Sequence, residues 1–362
     1  MKTILLLNWR DKKNPFAGGA EVFAYEIAIR LIRDGYKVIW FTSKEKGLEE
    51  QEPYDGITII RKGSWKTVYV WAFFYYTFML RRSVDMIIDC QNGIPFFTPL
   101  YAKKKIICIV HHVHREVFKH FAPSLFIKYV GIFLESLMPF VYKHTTLITV
   151  SPSTKEAMCS IGFKQDISIV YNGINHNLFS SQSKTTEPSF LYLGRLKKYK
   201  RVNDLLLAFA HISKEQSTSK LTITGNGEEL HSLQTLAQTL GIQDKVKFTG
   251  FVTEETKKTL LGQSWALLYP STHEGWGISV IEANASSTIT IASNVAGLRD
   301  AVKDKTTGLL YKMGDITDLS QKMMSIILDK EKRLAMEKEA LKWSNTFSWD
   351  ESYKVFKKTI QL

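Results

Sequence analysis

Short apolar runs alternate along this chain with stretches whose apolar residues recur every three or four positions, a rhythm that predicts an α/β protein. TILLL, from residue 3, reads as a buried strand. A loop carrying Gly18 and Gly19 follows, then a helical pattern from about 20 to 34 closed by Gly35, then the strand VIWFTS. The first half repeats the theme with MIIDC, KIICIV and TLITV, and the second half with FLYLG, LTITG, VKFTG, WALLYP and TITIAS. Strands this short and this uniformly apolar belong in parallel sheets covered by helices on both faces. The polar stretch SSQSKTTEPS is the best linker, so the expected division is 1–183 and 184–343, with 344–362 as a closing helix.

Two segments break the rhythm. WKTVYVWAFFYYTFMLRR, residues 65–82, is the most apolar and aromatic stretch, yet its uncharged part, 67–80, is too short for the roughly 20 residues that span a bilayer. Flanked by Lys66, Arg81 and Arg82, it suits either a helix buried in the first domain or one dipping into a membrane interface. A second aromatic region, 118–143, is interrupted by Lys128, Glu135 and Pro139.

Composition sharpens the picture. The 362 residues carry a net charge of +13, which calls for an anionic partner: nucleotide, nucleic acid or anionic lipid. The basic residues are scattered and form no recognised nucleic-acid module, so nucleic acid is not expected. Cys90, Cys108 and Cys159 are odd in number and far apart, which indicates reduced thiols, and TILLL is too short for a signal-peptide core. A cytoplasmic protein is expected, peripheral on the membrane's cytoplasmic face if the aromatic runs are exposed.

The candidate chemistry centres on residues 269–293. There a strand ends at Pro270, a loop carries Glu274, and from Gly277 a helical pattern places Ile278, Ile281 and Ala285 on one face before the next strand. A helix that starts just beyond a strand's carboxyl end offers unpaired N–H groups and a positive dipole end to phosphate. Glu282, about one and a half turns in, is then placed to accept hydrogen bonds from sugar hydroxyls. His111, His112 and His114 invite a metal reading, but adjacent positions on an extended chain point to opposite faces and no carboxylate or cysteine completes a set.

EGWGISVIE, from Glu274 to Glu282, resembles the E-x7-E signature of the retaining GT-B glycosyltransferases grouped as family four. The resemblance implies two doubly wound Rossmann-like domains facing a cleft, with the segment SNTFSWDESYKVFKKTI crossing back as a helix to the first. It implies His111 beside the reacting carbon, with His112 as the alternative register. Arg195 and Lys200 would be the cations on the donor diphosphate, and Glu274 the remaining catalytic residue. Donor contacts are implied for Gly18, Gly19, Gly225, Gly227, Phe251, Val252, Gly275, Gly277, Ile278, Ser279 and Glu282. The chain departs from the family pattern where Asn175 replaces an aspartate, Arg201 a glycine, and Ala296 and Asp300 the first glycine and the glutamate of G-G-x-x-E. No D-x-D triplet occurs, which fits a metal-free enzyme without cofactor whose substrate is a UDP-, GDP- or other NDP-sugar. The implied reaction moves a hexose to a hydroxyl acceptor, lipid-linked or a polysaccharide or glycolipid precursor. A nucleotide-sugar 2-epimerase and an inert, membrane-associated nucleotide-sugar binder share the plan.

Overall fold

The apolar runs do build parallel sheets. The structure, a computed structural model, describes residues 1–121 and 124–362; residues 122 and 123, within the aromatic region 118–143, lie outside it. The chain forms two units, residues 1–173 with 349–362, and residues 174–348.

The first unit runs β1 (Thr3–Leu7), α1 (Gly19–Arg33), β2 (Lys37–Thr42), β3 (Gln51–Tyr54), β4 (Ile57–Arg61), α2 (Val68–Tyr75), β5 (Met86–Gln91), β6 (Lys105–Val110), α3 (Arg115–Phe121), α4 (Leu125–Val141), β7 (Thr146–Thr149), α5 (Pro152–Ser160) and β8 (Ile167–Ile169). The strand order is β3-β4-β2-β1-β5-β6-β7-β8, parallel except for the edge pair β3 and β4. That hairpin turns on Asp55 and Gly56, both at positive φ, a sequence signal for a two-residue hairpin turn. Pro53 sits on the outermost strand, where a missing N–H costs nothing. One sheet face buries Leu5, Leu7 and Phe41 against Val68, Ala72 and Tyr76 of the α2 segment. The same face continues as Cys108 and Val110 of β6 against Met138 of α4 and Tyr142 just beyond it. Ser151 caps α5 by accepting from the Thr154 N–H.

The second unit runs β9 (Ser189–Leu193), α6 (Val202–Glu215), β10 (Lys220–Thr224), α7 (Leu230–Thr239), β11 (Val246–Gly250), α8 (Glu254–Gln263), β12 (Ala266–Tyr269), α9 (Ile278–Ala285), β13 (Ile289–Ser293), α10 (Leu298–Ala301), β14 (Gly308–Tyr311), α11 (Ile316–Leu328) and α12 (Lys330–Ser344). Its six parallel strands lie in the order β11-β10-β9-β12-β13-β14, around a core that includes Tyr192, Phe209, Ile223, Leu268 and Ile291. The polar stretch suggested as a linker belongs to this unit. The Trp265 indole donates to the Thr185 carbonyl at 2.8 Å and the Thr185 N–H to Gln263 at 3.0 Å, so the chain changes units at 173/174, ten residues earlier than its composition suggests.

The closing helix, α13 (Trp349–Ile360), is part of the first unit, as expected of a segment that crosses back. Trp349 meets Phe23 of α1 edge-on at 6.1 Å, Arg30 pairs with Asp350 at 2.9 Å, and Asp34 accepts from Tyr353 at 2.9 Å. Cys90 and Cys108 are buried in strands and Cys159 is exposed; all three are free thiols.

Strand order reverses between β1 and β5 in one sheet and between β9 and β12 in the other. In open α/β sheets, ligands bind outside the carboxyl ends of the strands at such a reversal, because the flanking loops diverge there and leave a crevice. In the second unit the loops that meet this condition follow β9 and β12, and they carry Arg195, Lys200 and Glu274.

Candidate active site

The loop after β9 begins with Gly194 and Arg195, whose side chain is exposed and whose guanidinium donates to the Tyr199 hydroxyl at 3.1 Å. The loop after β10 lies directly on it: the Leu196 N–H donates to Asn226 and the Glu229 N–H to Leu196. A Cβ on Gly225 would stand 2.0 Å from the Gly194 carbonyl oxygen, and one on Gly227 would stand 2.1 Å from that of Leu196. Both glycines are therefore required for backbone to pack on backbone, a demand separate from any approach to a ligand. Gly225 also donates to the Gly250 carbonyl at 2.8 Å, which places Phe251 and Val252 beside this loop, with the Phe251 ring exposed.

A short 3-10 turn, Lys198–Lys200, then drives Lys200 inward. Its ammonium bonds the Glu274 carboxylate and lies 5.1 Å from the Tyr269 ring and 5.3 Å from the Tyr199 ring. Burial works against this ammonium, but Glu274 and the tyrosines around it outweigh that and hold its pKa well above the lysine range. Arg201 follows at φ +50°, the left-handed region that a glycine enters without penalty and a side chain does not. Its guanidinium holds Asp204 through two hydrogen bonds, at 2.6 and 3.1 Å, a compensation that accounts for arginine where the family pattern has glycine. Asn175 likewise caps the turn His176–Leu178 with its side-chain oxygen, a task that an aspartate performs equally well.

Glu274 is positioned by its neighbours on the loop after β12. The Thr272 N–H donates to Tyr199, His273 stacks on the Tyr199 ring at 4.8 Å, and the Glu274 N–H donates to Ala296. Gly297, at φ +78°, approaches so closely that a Cβ there would lie 2.2 Å from the Glu274 carbonyl oxygen. Gly297 is the retained second glycine of the G-G-x-x-E pattern, and that was the available signal for a close approach the sequence candidates do not include. Gly275 and Gly277 complete the loop. Gly277 sits at φ +84° as the N-cap of α9, with no side chain capping the helix, and Ile278 and Ser279 form the first helical positions. Glu282 is the fifth residue of that helix. Its carboxylate accepts from Lys257 of α8 at 2.9 Å, and Lys257 also reaches Glu254 at 2.8 Å. Burial raises the Glu282 pKa and Lys257 draws it back down. Lys257 is a contact that no motif foretold, because it arrives from another helix 25 residues away.

In the first unit, His111 directly follows β6. It is buried edge-on against Phe23 at 5.3 Å, and its pKa is lowered to about 4, chiefly by burial and secondarily by His114. His112 and His114 meet edge-on at 4.8 Å, and the His114 N–H donates to Glu135. Among the described residues no cluster of His, Cys, Asp or Glu could hold a metal ion. Gly18 is the N-cap of α1 and donates to Glu21 at 2.6 Å; at φ −138° it adopts a conformation open to any residue. Gly19 is the first residue of the helix. The candidate residues thus fall into two groups: Gly18, Gly19, His111 and His112 in the first unit, and all the others in the second.

Two family descriptions match the chain, "Glycosyltransferase Family 4" over residues 17–178 and "Glycosyl transferases group 1" over residues 174–343. An uncharacterized glycosyltransferase of Methanocaldococcus jannaschii, MJ1607, is 28% identical over 333 residues, covering 84% of each chain. Among solved structures, sucrose-phosphate synthase from Thermosynechococcus elongatus superposes with a TM-score of 0.84 at 20% identity, over 100% of this chain and 98% of that one. Anabaena Alr3699/HepE, in complex with UDP-glucose, gives 0.80 at 18% identity over 100% of both. Two parallel-sheet Rossmann-like domains of the GT-B kind, and family matches that run from 17 to 343, agree with the two-carboxylate loop and helix at 274–282: the chain belongs to the family-four, group-1 glycosyltransferases.

Proposed function

We propose that the protein transfers a hexose, with retention and without a metal ion, from a nucleotide-diphosphate sugar to a hydroxyl on a membrane-borne acceptor, a lipid-linked or glycolipid precursor. The observation that carries this reading is the pairing around α9: Glu274 with the buried Lys200, and Glu282 with Lys257. Two carboxylates beside a diphosphate would repel it, so each must be offset by a cation, and here each is. In this reading Arg195 and Lys200 take the diphosphate, together with the N–H groups of Ile278 and Ser279 at the start of α9. Glu282 holds the ribose hydroxyls and Glu274 orients the sugar. The leaving phosphate oxygen takes the acceptor proton, so the protein's task is to position the sugar and stabilise the departing charge. His111, for which the family resemblance implies a sugar contact, is neutral at physiological pH and so would act as a hydrogen-bonding group and not as a cation. The UDP-glucose held by HepE supports UDP-glucose as the first donor to test.

The experiment is a thermal-shift panel of nucleotide sugars, followed by incubation of the stabilising donor with and without a glycolipid acceptor. Transfer requires product only when acceptor is present, with the anomeric configuration of the donor retained by NMR and turnover unchanged in EDTA. A donor epimerised in the absence of acceptor indicates the 2-epimerase instead, and a donor bound but never consumed indicates an inert binder. Inversion at the anomeric carbon, or activity restored only by magnesium or manganese, overturns the corresponding part of the reading.

A further inference from the structure

The aromatic segments of the first unit turn much of their apolar surface outward. On α2, Val68 and Ala72 face the sheet, whereas Trp71 and Phe74 are exposed, and Phe78, on the π-helical turn Tyr76–Leu80 that follows, is 74% exposed. On α4, Gly131, Glu135 and Met138 are buried, and Phe126, Phe133 and Phe140, spaced by seven, are 76%, 61% and 74% exposed. Positions 71, 74 and 78, and positions 126, 133 and 140, each trace one stripe along a helix, here on the side away from the core. The two helices lie on the same face of the sheet, since Ile106 packs with the α2 group while Cys108 and Val110, next in alternation on β6, pack with the α4 group. The segment 97–101 joins them, with Tyr101 against Phe73 at 5.3 Å and Phe97 against Tyr142 at 6.4 Å. Large apolar patches of this kind mark interaction sites rather than ordinary surface.

Charge decides among occupants. Across residues 63–84, 92–104 and 124–145 the only carboxylate is Glu135, which is buried and accepts from the His114 N–H, whereas the cations number seven. Lys66, Arg81 and Arg82 flank the first stripe, Lys103 and Lys104 the joining segment, and Lys128 and Lys143 the second stripe. Among the described residues none of the seven pairs with a carboxylate. The first unit holds 26 Lys and Arg against 17 Asp and Glu, a balance of +9, and the second 22 against 18, a balance of +4. The basic excess is therefore concentrated in the unit that carries the apolar face and not in the unit with the E-x7-E loop. A second copy of the chain would bring cations to meet cations, whereas an anionic bilayer satisfies both the aromatic stripes and the charges around them.

We infer that α2 with its π-helical turn, and α4, form a two-helix docking face that seats the first unit on an anionic lipid surface. This deepens the reading of a membrane-borne acceptor. No helix among the described residues is long and apolar enough to cross a membrane, so attachment is by partial insertion of the aromatic stripes.

The test is co-sedimentation of the full chain with vesicles of phosphatidylcholine alone and with vesicles of equimolar phosphatidylcholine and phosphatidylglycerol, at low and high salt. The variants are a triple Phe78→Ser, Phe126→Ser, Phe133→Ser and a triple Arg81→Gln, Arg82→Gln, Lys128→Gln. All replaced side chains are exposed or partly so, and the thermal midpoint of each variant verifies its fold. The wild type is expected to bind the anionic vesicles at low salt and weakly at high salt, with each variant's partition coefficient lower by about tenfold or more. No binding to anionic vesicles at low salt, unaltered binding by the serine variant, or a wild-type dimer that the serine variant converts to monomer without any vesicle affinity would each overturn it. Donor turnover with a water-soluble acceptor, measured without vesicles, reports on the transferase reading separately: docking can fail while transfer persists, and the reverse.

Discussion

Replacing Lys200 with methionine separates two roles that the structure gives the same ammonium, counter-ion to Glu274 and cation for the donor diphosphate. The two side chains are 8% and 16% exposed. Removing one partner of a buried pair costs roughly 3–5 kcal/mol, and the residual exposure of Glu274 places this case near 3 kcal/mol. For a unit of this size, each kcal/mol shifts the midpoint by about 2–4 °C, so the second unit of Lys200→Met should melt about 6–12 °C lower. UDP affinity should fall by a further 1.5–3 kcal/mol, about tenfold to 150-fold, the value of a hydrogen bond to a charged group. Lys200→Met with Glu274→Gln removes the stranded carboxylate. It should recover most of the midpoint while leaving UDP binding weak. Differential scanning fluorimetry with and without UDP, and titration calorimetry at fixed salt, read the two effects. If the double variant regains wild-type UDP affinity, Lys200 serves only Glu274 and the phosphate assignment fails; if the single variant melts at the wild-type temperature, the pair contributes nothing.

Glu282→Ala should weaken UDP binding by about 1.5–3 kcal/mol in calorimetry, because it deletes the proposed acceptor for the ribose hydroxyls; an unchanged Kd refutes that role. His111 is held neutral by burial, its pKa about 4 against an ordinary 6.5, so its contribution to stability is complete above pH 6.5 and is lost as pH falls through 4. The amount is roughly 3 kcal/mol, and His111→Phe should flatten the decline in unfolding midpoint between those limits; parallel pH profiles would count against it. Asp89 acts in the opposite sense, since burial raises its pKa to about 6: its contribution is complete below its ordinary 3.8 and is lost as pH rises through 6, so the comparison must be between variants and not between pH values alone. Arg201→Ala should destabilise the second unit by about 1 kcal/mol more than Arg201→Gly, because both lose the Asp204 contact but only alanine must also occupy φ +50°; equal midpoints would show that the strain is relieved by movement of the loop.

Ten of the fourteen strands among the described residues were legible because each is a short apolar run, and in a parallel sheet covered on both faces that pattern has few other readings. β3, β4, β8 and β14 were overlooked: QEPY is polar, exposed at an edge and interrupted by Pro53, although the Asp55 and Gly56 turn announced its hairpin with the apolar β4, and β8 and β14 are runs of only three and four residues. The unit boundary was misplaced for a related reason. A polar, proline-containing stretch looks like a linker, and only the Trp265 indole on the Thr185 carbonyl shows that this one is fastened to a domain. The outward aromatic stripes could not be assigned from sequence, since a period that places apolar residues on one face does not say which face meets the core.

At the candidate site the division between legible and hidden follows the range of the interactions. Glu274, Gly277 and Glu282 lie on one loop and one helix, so local spacing brings them together and a motif can record them. Lys257 reaches the Glu282 carboxylate from another helix, and nothing in the spacing of nearby residues announces that contact; Gly297 reaches the Glu274 loop from another element too, but there the retained glycine of the G-G-x-x-E pattern was a local signal. Gly225 and Gly227 show the converse hazard. They were read as space for a nucleotide, yet a Cβ at either would strike the carbonyl of Gly194 or Leu196 whether or not a nucleotide were bound. Substituting them would disturb the loop that carries Arg195, so lost donor affinity in a Gly225→Ala variant would not by itself locate the donor. Glu282→Ala is more discriminating: it truncates a side chain on the helix body, leaves the loop's backbone packing untouched, and so tests the ligand contact apart from the scaffold that presents it.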